Sequence, residues 1–438
     1  MKYYLWTEGC QMNVADSQHV ASELDHMGYR PTLVPEDADV IVLNTCVVRQ
    51  SAEDKAYGRL SSLRKLKLQR PEMVICLMGC LVGMHDNPKL RQRFPYVDVF
   101  APPSDPGNLI EFLGQHEGRV VEEAETTARF ALMDGDEAVS AEVPEKPVAA
   151  NVPIVLGCSH ACTYCIIPYR RGAEHSREPN EILAEVKTLV AQGAREVTLL
   201  GQIVDRYGKD HPEWPNLTGL IRQIHAIDGL ERIRFLTSHP NWMTDELLEA
   251  VAELPKVMPH IEVPAQAGDD EVLASMRRGY SAEEYRALIE RIREHVPGVS
   301  IGTDIIVGFP GETETQFQHT YDMLAELKLD VVHLARYSPR PQTVSARTME
   351  DNVPAEEKWR RFRLIEALQA GIVGEIHSAY VGRTVPVLFE EQVKGRWKGR
   401  TPTNKLVFAE AATDLRGRIE PVTITHAGAW SMNGSLAG

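Results

Sequence analysis

The chain is short of cysteine, of long apolar runs and of positive charge, and each shortage removes a class of protein. Seven cysteines in 438 residues are too few and too uneven for a disulfide scaffold, so a reducing cytoplasm is the expected compartment. No uninterrupted apolar run reaches the roughly 18 residues of a bilayer-crossing helix, and no charged-then-apolar leader opens the sequence. No membrane contact is expected. With 62 acidic and 47 basic residues the formal net charge is −15, which argues against indiscriminate nucleic-acid binding. The acids are not evenly spread: between Glu117 and Lys146 nine stand against three bases, a local net of −6 that reads as a solvated linker.

What is present is enough for a large core. At 438 residues and 43% hydrophobic content, two or three domains are expected. The densest chemistry lies in Gly157-Cys158-Ser159-His160-Ala161-Cys162-Thr163-Tyr164-Cys165, directly after an apolar run, Val152 to Leu156, that reads as a buried strand. Three thiols spaced C-x3-C-x2-C on one loop fit an iron–sulfur cube better than other ligands. A fully protein-ligated [4Fe–4S] cube takes four cysteines, so three leave one iron open to a non-protein ligand. Zinc held by these thiols and His160, or simple free thiols, are the other readings; the usual zinc pattern needs a second pair, and none follows Cys165.

Upstream, the apolar stretches Lys2 to Thr7, Ala38 to Leu43 and Met73 to Met78 alternate with helical patterns, which describes an open α/β layer with a parallel sheet. Cys10, Cys46 and Cys80 each fall just past the carboxyl end of one of these strands, the rim where open sheets place their sites. Cys76 lies within the third strand and reads as an inert core thiol. A helix with Arg59, Arg64, Lys65, Lys67 and Arg70 reads as a surface helix or as part of a basic footprint.

Downstream, six strand–helix repeats are readable, with strands near Val152 to Leu156, Glu196 to Leu200, Ile233 to Leu236, His260 to Val263, Ser300 to Val307 and Val331 to Leu334. Six such units predict a partial β/α barrel with its chemistry at the strands' carboxyl ends. Glycine and polar clusters stand there in order: Gly201-Gln202, Thr237-Ser238-His239-Pro240, Pro264-Ala265-Gln266-Ala267-Gly268 and Gly308-Phe309-Pro310-Gly311-Glu312-Thr313. His239 and His260 read as structural histidines and are left unassigned.

From Tyr380 onward short alternating runs predict a small β-barrel, locally basic with eight bases against five acids. In it, Lys394, Arg396, Lys398 and Arg400 interleave with Trp397, a pattern that pairs phosphate contacts with base stacking. A solvated hairpin is the alternative.

These residues resemble the radical S-adenosylmethionine methylthiotransferases. The resemblance rests on the C-x3-C-x2-C loop with Tyr164 before its last cysteine, and on the continuation Ile166-Ile167-Pro168-Tyr169-Arg170-Arg171-Gly172-Ala173-Glu174-His175-Ser176-Arg177. Cys10-Gln11-Met12-Asn13, Asn44-Thr45-Cys46, Gly79-Cys80, Thr303 to Thr313, Gly399-Arg400-Thr401 and Asn404-Lys405 extend it over nearly the whole chain. Ile203, Ala267 and Gln342 depart from it, standing where Asn, Ser and Gly are usual.

The resemblance implies an amino-terminal domain (1–118), an acidic linker (119–147), a radical domain (148–378) and an RNA-binding barrel (379–438). It implies a [4Fe–4S] cluster on Cys158, Cys162 and Cys165 that binds S-adenosylmethionine, with Tyr164, Gln202 and Asp304 among the contacts. It implies a second, sulfur-delivering [4Fe–4S] cluster on Cys10, Cys46 and Cys80. The expected substrate is an isopentenylated adenosine in a tRNA anticodon stem-loop, methylthiolated at C2; threonylcarbamoyl adenosine, a ribosomal-protein aspartate, or a non-catalytic zinc module are the alternatives. The expected electron donor is of flavodoxin or ferredoxin type, the sulfur source is open, and a monomer is expected.

Overall fold

The computed structural model describes residues 1–48, 50–85, 87–115 and 147–437. The acidic linker therefore lies outside the described residues except for Pro147. Two compact units emerge, Met1–Glu145 with Ile166–Gly172, and Lys146–Cys165 with Ala173–Gly438.

In the first unit, β1 (Lys2–Glu8), α1 (Gln11–His26), β2 (Arg30–Pro31), β3 (Val40–Thr45), α2 (Gln50–Gln69), β4 (Val74–Gly79), α3 (Pro88–Arg93) and β5 (Val99–Ala101) build a parallel sheet in the order β2-β1-β3-β4-β5. β3 and β4 are buried at every position, as their near-continuous apolar sequence requires of strands covered on both faces. β2 and β5 escape a sequence reading because two or three residues carry no periodicity. Cys76 is fully buried in β4, where burial pushes its thiol up, so it stays an inert core group. The basic face of α2 is largely spent internally: Arg59 donates to the Tyr4 hydroxyl, Lys67 pairs with Asp98 at 2.8 Å and Arg70 with Asp39 at 3.0 Å. Arg64 and Lys65 stay exposed. The helix α4 (Ile167–Arg171) packs in this unit as well.

In the second unit, β6 (Ala149–Pro153), β9 (Glu196–Leu200), β10 (Arg232–Phe235), β11 (His260–Glu262), β12 (Ser300–Val307) and β13 (Val331–Arg336) run parallel. They form two three-stranded sheets joined by the parallel bridge Ile233–Val257. The first strand lies earlier than the expected Val152–Leu156. Register with β9 selects Ala149–Pro153, and Val155–Leu156 becomes a separate strand, β7, antiparallel to β8 (His175–Ser176). Between the strands run α5 (Pro179–Ala191), α6 (Leu217–His225), α7 (Asp245–Glu253), α8 (Asp270–Met276), α9 (Ala282–His295) and α10 (Glu314–Leu327), followed by α11 (Val344–Thr348) and α12 (Ala355–Ser378). α5 opens with Pro179 at its first turn, and the Glu178 side chain accepts the Glu181 N–H, which meets one of the donors a helix start leaves unpaired.

The chain ends in a closed barrel of β14 (Thr384–Val393), β15 (Arg396–Arg400), β16 (Leu406–Ala409), β18 (Met432–Leu436) and β17 (Ile419–Ala427). Its docking partners sit at or just before the amino ends of the parallel strands, apart from Arg234 within β10. Arg232 donates to the Arg400 carbonyl at 2.7 Å, and Arg234 to the Thr401 and Pro402 carbonyls at 2.9 Å each, while Glu196 holds Arg234 at 2.9 Å. Lys405 pairs with Asp330 and donates to Ser300, and Asn404 meets His260. Among the described residues no helix is long and apolar enough to cross a membrane.

Gln342, where the resemblance expects glycine, stands exposed at φ +82°, a left-handed conformation that costs an L residue about 1–2 kcal/mol. Glycine would remove that strain at a cost of about 0.5–1 kcal/mol in chain entropy. Gln342→Gly is therefore expected to hold or slightly raise the melting temperature, whereas β-branched Gln342→Val should lower it; thermal scans of both variants check this.

Candidate metal centres

The first unit brings its three cysteines to one rim. Cys10 follows β1 and caps α1, Cys46 follows β3, and Cys80 follows β4, on three adjacent parallel strands. A buried amide lattice ties the three loops together. Asn13 donates to the Asn44 side chain at 3.0 Å and to the Thr45 carbonyl at 3.2 Å; Asn44 donates back to the Asn13 carbonyl at 2.8 Å; and the Cys80 N–H reaches the Thr45 carbonyl at 2.8 Å. Glycine is required beside the ligands. At Gly79, φ +97°, a Cβ would stand 2.5 Å from both the Asn44 Oδ1 and the Thr45 carbonyl, and at Gly9 it would meet Asn13 Oδ1 at 2.4 Å and Cys46 Cβ at 2.7 Å.

Cys46 and Cys80 are buried and Cys10 is exposed. The Val48 N–H donates to the Cys46 sulfur at 3.3 Å. Burial pushes the Cys80 thiol up to about 12, against the opposing charge of Arg171. Sulfurs this deep need compensating positive charge to ionise, which an iron cube supplies.

In the second unit the Cys158 loop leaves β7 at Gly157 and is pinned from two directions. Thr163 takes the Met276 carbonyl with its N–H at 3.1 Å and the Ser275 carbonyl with its hydroxyl at 2.8 Å, and the Ser345 N–H donates to the Thr163 carbonyl at 2.9 Å. The sulfurs receive donors. The His160 N–H points to Cys158 at 3.4 Å, and buried Arg278 donates from Nη1 to Cys162 at 3.2 Å. Arg278 is fixed by Tyr280 at 2.9 Å and by the Pro264 carbonyl at 3.1 Å. Burial works against a thiolate at Cys162, but His160 and Arg278 together bring its thiol below the ordinary value.

Each donor set fits an open-cornered cube. All seven cysteines are free, and backbone and guanidinium N–H groups aim at sulfur, as cluster ligands require. A cube gives each thiolate its own iron, which suits donor sets made of three thiols each. The His160 side chain acts on Cys162, and its ring lies edge-on to His239 with centroids 4.7 Å apart.

The other strand ends carry strained backbone. Thr237 stands at φ +68° and Gln266 at φ +75°, conformations that persist where surrounding structure enforces them and that cluster at functional sites. Tyr164 is half-buried, its ring edge-on to Phe309. Gln202 follows β9 and is half-buried. In β12 Thr303 bonds Tyr285 of α9, so the alternation of a strand turns Asp304 to the opposite, barrel-interior face. After β12, the buried Glu312 accepts the Gly308 N–H at 2.6 Å and Arg361 at 2.8 Å, which locks the Gly308–Thr313 turn. His239 is also at this mouth: its Nδ1 accepts the Asn241 N–H, burial pushes the ring down to about 2, and its Nε2 is buried without a partner. His260 instead lies under the docked barrel.

The carboxy-terminal barrel corrects one expectation. Trp397 is 8% exposed and packs in the barrel core with Val387, Phe389 and Val407, so it offers no face to a base. The period of two in β15 explains this: Trp397 and Gly399 point inward, Arg396, Lys398 and Arg400 outward. Lys398 pairs with Glu391 at 2.6 Å, Arg400 with Glu390 at 3.4 Å, and Arg396 lies over Phe408 and donates to Asn433. Lys394, at the hairpin tip with φ +50°, stays outside the strand. The exposed aromatic of this barrel is Trp430, 77% accessible, in a turn whose sequence carries no basic neighbour to advertise it.

Sequence reasoning missed Arg278 and Asp205, and gave Arg171 no role beyond its place in the motif. Asp205, in the turn after β9, accepts the His239 N–H at 3.0 Å; burial raises its carboxyl from 3.8 to about 7. A carboxyl raised on folding contributes stability below its unfolded value that is lost as pH climbs through its folded one. Wild-type stability should thus fall between pH 3.8 and about 7, and Asp205→Asn should remove that fall; urea titrations across this window that show equal slopes for the two proteins would sink the assignment.

Comparison with known proteins follows the same division. Residues 152–324 match the Radical SAM superfamily, and residues 2–102 match the Uncharacterized protein family UPF0004. The tRNA-2-methylthio-N(6)-dimethylallyladenosine synthase of Roseiflexus sp. (strain RS-1) is 46% identical over 100% of this chain and 90% of its own length. That of Dehalococcoides mccartyi (strain CBDB1) is 46% identical over 99% of this chain and 98% of its own. Among solved structures, the radical S-adenosylmethionine methyltransferase TsrM of Kitasatospora setae, with cobalamin and a [4Fe-4S] cluster bound, superposes with a TM-score of 0.54 at 14% identity, covering 91% of this chain and 80% of that one, a likeness of fold. Full-length identity of this order, with both cysteine trios on their strand ends, places the chain in the tRNA-2-methylthio-N(6)-dimethylallyladenosine synthase family of radical S-adenosylmethionine methylthiotransferases.

Proposed function

We propose that this chain attaches a methylthio group to C2 of N6-isopentenyladenosine beside the anticodon of tRNA, in the cytoplasm. The observation that carries the reading is two cysteine trios, one just past the ends of three adjacent parallel strands and one on the single loop after β7, in a chain 46% identical along its length to a protein bearing that name. Cys158, Cys162 and Cys165 would hold the cluster that binds S-adenosylmethionine, and Cys10, Cys46 and Cys80 the auxiliary one. When bound, these groups supply radical chemistry at an unactivated aromatic C–H and the sulfur that replaces it.

The chain's own residues supply position and dielectric. Arg278 and the His160 N–H offset the charge of the first trio's sulfurs. The half-buried Tyr164, Gln202 and Asp304 line the mouth that S-adenosylmethionine would enter, and the Gly308–Thr313 turn fixes one wall of it. The anticodon stem-loop would meet the outward face of the terminal barrel through Lys394, Arg396, Lys398 and Arg400. Trp430 takes the stacking role that Trp397 cannot. A flavodoxin- or ferredoxin-type donor would reduce the clusters of a monomeric enzyme.

In a strain lacking this gene, mass spectrometry of tRNA nucleosides should show isopentenyladenosine without its methylthio group; loss of the group from threonylcarbamoyl adenosine instead would overturn the substrate. In purified protein, Cys162→Ala should abolish 5′-deoxyadenosine formation, while Cys80→Ala should retain it and lower iron from about eight atoms per chain to about four. Trp430→Ala should raise the KM for tRNA roughly 5- to 150-fold, the worth of one stacked base, and leave 5′-deoxyadenosine formation without tRNA unchanged.

A further inference from the structure

The Arg171-Gly172 pair that follows the Cys158 loop has no role in the reading above, and the fold gives it one in the other unit. α4 and Ile166 belong to the first unit, where Ile166 packs against a core that contains Cys80, Leu81 and Val82. At the end of α4 the Arg171 side chain is 2% exposed and that of Asp16, its ion-pair partner at 2.9 Å, is 1% exposed. Arg171 also donates to the Ser104 hydroxyl at 2.9 Å, and Ser104 donates to Asp16 at 2.7 Å. Asp16 lies on α1, the helix whose start is Cys10. Ile166, five positions before Arg171, shares a core with Cys80, and Asp16 lies six positions after Cys10, so the ion pair holds the guanidinium between the segments that carry both sulfurs; its charge opposes the effect of burial on the Cys80 thiol.

This arrangement is costly if it only serves folding. Two charges are taken from water to form the pair, and the Arg171 Nε–H is buried without a hydrogen-bond partner, which burial penalises further. The charge and the unmet donor lie in the same unit as the cysteine rim. An iron cube with three thiolates gains negative charge on reduction, so a fixed cation in low dielectric favours the reduced form.

We propose that Arg171 is a positioning residue for the auxiliary cluster, held by Asp16 and Ser104 so that its charge and its unmet N–H serve the sulfur ligands at Cys80 and Cys10, raising the cluster's reduction potential and retaining its iron. The proposal rests on the assignment of that cluster to Cys10, Cys46 and Cys80. Asp16 sets the strength of the effect, since its carboxylate partly cancels the cation.

The test uses the full chain with Cys158, Cys162 and Cys165 replaced by Ala, so that the only cube observed is the auxiliary one. Anaerobic reconstitution should give about four irons per chain. In that background Arg171→Met should shift the reduced-to-oxidised ratio at a fixed potential at least tenfold toward oxidised, which is 59 mV for one electron, or lose iron while circular dichroism stays native. Arg171→Lys, which keeps the charge, should recover part of the shift, and Asp16→Asn, which keeps the arginine and removes its counter-charge, should move the potential the opposite way. If Arg171→Met does not fold, the opposed shifts of the other two variants decide the matter. A parent with no iron would overturn the second cluster itself, and the proposal with it. Unchanged potential and iron in folded Arg171→Met would overturn the role of Arg171 and leave the cluster assignment standing.

Discussion

A sulfur ligand has to be ionic to bind iron and sheltered from water to be useful, and burial opposes the first requirement while meeting the second. Both trios answer with the same device. Strand ends deliver the thiols, from three adjacent parallel strands in the first unit and from the one loop after β7 in the second, and N–H groups or a buried guanidinium stand where the negative charge will be. The glycines at positions 9 and 79 are part of this device, because the loops approach side chains of the next strand more closely than any Cβ allows.

The second unit uses its two barrel rims for different work. The carboxyl ends of the strands hold the Cys158 loop, the left-handed Thr237 and Gln266, and the locked turn after β12. The amino ends hold the terminal barrel through Arg232, Arg234, Asp330 and Lys405. Arg232 and Arg234 grip main-chain carbonyls, so docking depends on the path of the barrel loop more than on its side chains. The acidic partners Glu196 and Asp330 keep those buried cations neutralised, as burial of charge demands.

The cysteines were legible because their pattern is local: three residues within eight positions, or one residue past the end of each apolar strand. The six-strand repeat was legible for the same reason, although the first strand moved to Ala149–Pro153, where pairing with β9 outweighed the more apolar Val155–Leu156. The roles of Arg171 and Arg278 were not, since their partners lie 155 and 116 positions away: the motif around Arg171 marks the residue but not its partner, and nothing in the neighbouring sequence marks Arg278. Trp397 misled because its interleaving with bases suggested a face shared with them. In the barrel Gly399 is a strand residue whose missing side chain admits the Leu388 carbonyl, within 2.4 Å of where a Cβ would be, and the tryptophan beside that contact fills the interior.

The placement of the terminal barrel at the amino ends has a consequence for substrate size. β12 has eight residues, which at about 3.3 Å each makes roughly 26 Å from one rim to the other. A molecule held by the barrel's outward face and altered at the cysteine end must bridge that length. On the proposed reading a free nucleoside would reach only one end, whereas a folded stem of several base pairs would reach both, so the scaffold would act as a ruler that favours polynucleotide over its monomers.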